Sequence, residues 1–148
     1  MVHFLITVVV AGLLGAGAME STMWLLSRAG TAKGNMVVAL GALLTRSRAG
    51  AARVGAVVHV ISAILFSVGY SLLIERVGLT AVPSTFALGL GIGFVHGMIV
   101  SVLLVWVVAE HHPLEEFQEA DLAIGLSHLA GHVAFGGVVG LVVGLSLL

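Results

Sequence analysis

Seven histidines stand among six Lys+Arg and seven Asp+Glu in a chain of 148 residues. Four of them, His59, His96, His128 and His132, lie inside apolar runs, as does Glu20. An ionisable group placed in hydrocarbon is costly and points to function. Imidazole and carboxylate together suit zinc, iron, copper or manganese. There is no cysteine, so disulfides, thiolate metal sites and iron–sulfur clusters are excluded. His128 and His132 are four residues apart, which puts both imidazoles on one face of a helix. With His59, His96 and Glu20 they form a candidate intramembrane metal set.

Two kinds of centre fit this set. One is a transition metal ion (zinc, iron or copper) held by several of the five side chains. The other is haem b, ligated by His59 and by His96 or His132 on a facing helix, which would make the protein an electron carrier. The paired Glu-x-x-His pattern of di-iron bundles is absent, and His111-His112 is the sole adjacent histidine pair. No nucleophile–base motif is present, so an enzymatic role is not favoured. A different class of explanation is structural. Histidines can be interhelical hydrogen-bond glue, contributing ~0.6 kcal/mol each, in an accessory subunit of a membrane complex, with Glu20 paired to Arg28 or Arg53. A third is proton-coupled transport, since His and Glu relay protons.

Two further groups have chemistry at helical or loop spacing. His111, His112 and Glu115, near Pro113, could hold a divalent ion at the surface, or simply form a turn in which proline stops a helix. Met19 and Met23 flank Glu20 one helical turn apart. Their thioethers could bind Cu(I) or fill core.

The elements that must position these residues are four apolar segments. Apolar residues make up 59% of the chain and charged ones 9%, against roughly a quarter charged in a soluble domain, and mean hydropathy is +1.20. The spacing predicts an all-α, polytopic membrane protein: one domain, 1–148, forming a four-helix transmembrane bundle. The predicted spans are about 2–26, 54–74, 84–109 and 122–147, each near the ~20 residues a bilayer requires. Residues 35–45, NMVVALGALLT, are apolar but too short to span, and predict an interfacial or re-entrant helix between the first two spans. The N-terminal run lacks a basic leader and is read as a retained helix rather than a signal peptide.

Charge sets the expected orientation. The 27–53 connection holds Arg28, Lys33, Arg46, Arg48 and Arg53, five of the six basic residues. By the positive-inside rule it is cytoplasmic. The 110–121 connection follows, and both termini face outward from a prokaryotic cytoplasmic membrane. That second connection holds Glu110, Glu115, Glu116, Glu119 and Asp121, so the two read either as solvated loops of opposite sign or as an ion-pair network closing the cytoplasmic end. Trp24 and Trp106 fall where interfacial anchors belong. No basic surface exists for nucleic acid. The expected partners are the lipid bilayer and either a second copy or a larger membrane complex.

Small residues mark the expected packing faces, because close backbone approach drives helix association in lipid. They are Gly12 and Ala16 in the first span, Gly55, Ser62 and Gly69 in the second, Gly89, Gly93, Gly97 and Ser101 in the third, and Gly136, Gly140 and Gly144 in the fourth. The ionisable residues share these columns and therefore point inward. At 1.5 Å per residue, Glu20, His59 and His128 lie roughly 10 Å from the cytoplasmic ends, His132 roughly 15 Å and His96 roughly 20 Å. Residues distant in sequence thus converge on one layer.

The segments GAVVHVISAILFSVGY, GIGFVHG, the His112-Pro113 step and GHVAFGG resemble a group of uncharacterised four-helix membrane proteins of archaea and bacteria. Those proteins carry a histidine in helix two, a histidine–proline step after helix three and a glycine–histidine pair in helix four. The resemblance implies the four-helix topology and a part for His59 and His132. It implies no activity.

Overall fold

The computed structural model describes residues 1–30, 35–119 and 121–146. Lys33 and Leu147, the last residue of the fourth predicted span, lie outside the described residues. Helix α1 is Val2–Arg28, α2 is Met36–Thr45, α3 is Ala51–Val77, α4 is Val82–Leu103 and α5 is Leu122–Ser146. A π-helical turn, Leu104–Val108, extends α4, and a single 3-10 turn covers Glu115–Phe117. No strand occurs among the described residues. Four of the helices, α1, α3, α4 with its extension, and α5, are long and apolar enough to cross a membrane. Outward-facing leucines, valines and phenylalanines cover them, as lipid-facing surfaces require.

Helix α5 is the central member, packed against α4 on one side and α1 on the other, while α3 lies against α1. Helix α3 touches α4 and α5 only slightly. Glycine determines these contacts. A β-carbon on Gly89 would strike the Gly136 carbonyl, and one on Gly136 would sit 2.9 Å from Gly93 Cα. Further along the seam, a β-carbon on Gly97 would lie 2.9 Å from His132 Cβ. Ser101 continues the column by donating to the Gly125 carbonyl at 2.7 Å. The expected glycine ladder between α4 and α5 is therefore present.

The small-residue stripe expected in α3 is only partly used. Gly55 is packed but Gly69 faces open space. The helix instead buries Ala63, Ser67, Tyr70, Ser71 and Ile74. Ser67 Oγ donates to the Val8 carbonyl of α1 at 2.5 Å, using the kind of small polar contact that bundles in lipid rely on.

Helix α2 forms as expected, but it is docked on α3 rather than lying free in the interface. Asn35 caps it by accepting from the Val38 amide at 3.1 Å. Gly41 and Gly55 face each other so closely that a β-carbon on either would meet a carbonyl of the other helix. Val38, Ala42 and Ala51 form a small core there, against which Leu114 and Phe117 of the acidic connection pack. Among the described residues the two charged connections share a single ion pair rather than a network: Arg48 Nη1 lies 2.9 and 2.7 Å from the two oxygens of Glu116. Both side chains are well exposed, so the pair contributes little to stability, ~0–1 kcal/mol.

Candidate functional site

A cavity of about 400 Å³ opens where α3 and α4 part. Four histidines of the long apolar helices, His59, His96, His128 and His132, line it from α3, α4 and α5. Met19 and Met23 of α1, Met36 of α2, and Phe66 and Phe135 also line it. Its end nearest the charged connections is covered by Asn35, Ala39, Leu40 and Leu43 of α2 and by His112, Glu116, Phe117 and Glu119. Among the described residues, none that lines it is Lys or Arg. The wall is mainly apolar with a few convergent polar groups, the usual composition of a ligand site.

The hydrogen bonds fix how the imidazoles present themselves. His128 Nδ1 lies 2.8 Å from the Ile124 carbonyl, and His132 Nδ1 lies 2.7 Å from the His128 carbonyl. A carbonyl only accepts, so each Nδ1 donates its proton. In the neutral ring, Nε2 is then left with a lone pair. Both bonds run back along α5 itself. They tie ring to backbone within one helix and join no helix to another, so the expected interhelical glue is not what these two provide. His128 Nε2 is buried and has no hydrogen-bond partner.

His96 is held differently. Its Nδ1 is hydrogen-bonded to the Tyr70 hydroxyl at 3.0 Å, linking α4 to α3. Its ring lies 4.2 Å from that of Phe66 and 4.7 Å from that of His132, edge to face with the latter. Tyr70 was not among the residues singled out from sequence. The available signal was a lone tyrosine in an apolar run, because a buried hydroxyl needs a partner.

Glu20 approaches the set from behind. Its Oε1 lies 3.4 Å from His59 Nε2, and neither atom makes a hydrogen bond. The two are near enough for an ion pair but misaligned for a shared proton. The sequence reading offered Arg28 or Arg53 as partners. Arg28 instead lies over the Trp24 ring, 4.8 Å from its centroid. Glu20 is not among the residues lining the cavity.

The second group, His111, His112 and Glu115, does not assemble. His111 is exposed and bonded to the Val107 carbonyl at 2.9 Å. His112 is 3% exposed, and both its nitrogens are used. The Leu114 amide donates to Nδ1 at 3.1 Å, which leaves Nε2 to donate to the Ala39 carbonyl at 3.1 Å. The histidine–proline step is thus a clasp holding the acidic connection to α2.

Among the described residues, no three His, Asp or Glu side chains are grouped closely enough to hold a metal ion together. What the cavity presents is a set of acceptor nitrogens dispersed around an apolar space, with thioethers beside them. Against family models, curated proteins and solved structures, the chain shows no match. The resemblance drawn from the histidine and glycine motifs gains no support there.

Proposed function

We propose that the chain is an integral membrane protein that holds a transition-metal cation in the cavity between α3, α4 and α5, for metal handling or electron transfer. The observation that carries this reading is the buried, unpartnered Nε2 of His128, whose Nδ1 is spent on the Ile124 carbonyl. Metal-ligating histidines characteristically donate the other ring N–H to a carbonyl or carboxylate, which fixes the tautomer and the ring. His132 shares that arrangement. Electron-pair donors facing a cavity whose described lining holds no Lys or Arg favour a cationic guest.

The ion is favoured over haem b. Haem carries two propionates, and among the described lining residues they would meet Glu119 and a Glu116 already paired with Arg48 rather than a free basic residue. The orientation that goes with this reading places the 27–53 and 110–121 connections in the cytoplasm and both termini outside. The acidic end of the cavity would then face the cytoplasmic metal pool.

The test is metal loading of the purified full chain in detergent. Equilibrium dialysis against Zn(II), Co(II) and Ag(I), followed by elemental analysis, is expected to retain about one ion per chain. His128→Ala with His132→Ala should abolish that retention while the protein remains folded. Absence of any retained metal sinks the reading, and a Soret band in the absorption spectrum replaces the ion with haem.

A second reading has its own observation. Tyr70, His96 and His132 are in sequential contact, and His59, which lines the same cavity, has Glu20 3.4 Å behind it. That row of titratable groups would serve proton-coupled transport. It predicts pH-dependent flux in proteoliposomes that is lost in Glu20→Gln.

A further inference from the structure

Three of the five methionines in the chain, Met19, Met23 and Met36, line the one cavity that the histidines share. Two of them cross α5 at Gly131, between His128 and His132. A β-carbon at Gly131 would lie 3.0 Å from Met19 Cγ and 3.4 Å from Met23 Sδ. Any side chain there would push the thioethers away, so glycine is what lets them reach the histidine-bearing face. Counted from the ends of their helices at 1.5 Å per residue, Met23 and His128 sit at about 8–9 Å, the same depth.

From this juxtaposition we infer that the cavity selects Cu(I), held by the thioethers of Met19 and Met23 and by Nε2 of His128. This rests on the metal reading above and names the ion. Thioether and imidazole donors suit soft Cu(I), whereas carboxylates and waters suit harder ions. The coordination demand agrees. No three His, Asp or Glu donors converge among the described residues, which leaves zinc or iron with fewer of the ligands they prefer and held more weakly, by histidine alone. Cu(I) accepts two or three soft ones. Charge agrees as well. Neutral thioethers and a neutral imidazole leave the site with a single positive charge, which costs less to hold in an apolar wall than a divalent ion. Glu119 at the covered end complements a cation on its way in, whereas Glu116 is already paired with Arg48.

The experiment uses the full chain in detergent under anaerobic conditions, with Cu(I) and the redox-inert Ag(I) as probes and Zn(II) as the contrast. X-ray absorption at the copper edge is expected to report sulfur together with nitrogen in the first shell. The double variant Met19→Leu/Met23→Leu keeps side-chain volume and is expected to fold, which its thermal melting profile checks. It should lose Cu(I) and Ag(I) affinity by about tenfold or more while Zn(II) binding is unchanged. A nitrogen-only copper shell, or a double variant that binds Ag(I) as tightly as the parent, overturns the Cu(I) assignment and leaves the metal reading standing. Failure of every ion to bind overturns both.

Discussion

Replacing Gly41 by alanine should open the cavity at its α2 end without disturbing the spanning helices. The new β-carbon would strike the Ala51 carbonyl and sit 2.7 Å from the Gly55 nitrogen, where ordinary contact begins at 3.4 Å. Both obstacles are backbone, so no rotamer change relieves them. Helix α2 must back away from α3 by at least about 0.7 Å, the difference between those distances. Overpacking of this kind costs ~1–3 kcal/mol. The cost falls on the docking of α2, which is held by the Val38–Ala42–Ala51 cluster with Leu114 and Phe117, by Met36 against the main core, and by the clasp from His112. A docking equilibrium weakened by that amount opens roughly 5- to 150-fold more often. The chain has no cysteine, so a single Leu40→Cys, on the cavity side of α2, is a unique reporter. Its labelling rate with a water-soluble maleimide should rise by that factor when Gly41→Ala is added. Gly17→Ala, whose β-carbon meets nothing within 4 Å, should leave the rate unchanged. Equal rates for the Gly41 variant and its parent would refute the account of α2 as a docked cover.

Two further outcomes follow from the same geometry. Gly136→Val drives a side chain into the Gly89 carbonyl and the Gly93 Cα, so it should lower the melting temperature in detergent sharply or abolish recovery of a monodisperse species. Gly91→Val, in open space on the opposite face of α4, should melt like the parent. His112→Ala removes both hydrogen bonds of the clasp and should speed amide exchange in α2 by an amount equivalent to ~1–3 kcal/mol, whereas Arg48→Ala, which breaks only the exposed pair with Glu116, should cost under ~1 kcal/mol.

The spans were legible because an apolar run of more than about 20 residues has few other uses. Their ends were less so. Helix α3 runs from Ala51 to Val77, past the 54–74 window, because it carries Arg53, Glu75 and Arg76 at its tips. Hydropathy stops at such residues, but the backbone does not. The 35–45 helix was legible as a helix, and its docking was not. The Gly41–Gly55 contact joins two glycines whose meeting depends on the Thr45–Gly50 turn, which no periodicity encodes. The convergence of His59, His96, His128 and His132 could be inferred from depth alone. The role of Tyr70 and the displacement of Glu20 from the cavity wall depend on helix rotation, which depth does not constrain.

The position of the cavity follows from where glycine is used and where it is not. Along the α4–α5 seam, glycines on both helices let backbone meet backbone, and no space remains. Across the α3–α4 seam, the residues that face each other are Phe66, Tyr70 and His96, and Gly69 and Gly91 point away into open space. Bulky rings hold that seam apart at mid-depth, and the widened π-helical turn after Leu103 carries Leu104 and Val108 along its edge. Such turns recur at functional sites. The gap is therefore a consequence of side-chain choice, not of poor packing. It places the lone pairs of α5 against a void while the opposite face of the same helix is sealed. A buried imidazole nitrogen left unpaired against such a void costs free energy, and it is on this nitrogen of His128, with the thioethers across Gly131, that the metal proposal rests.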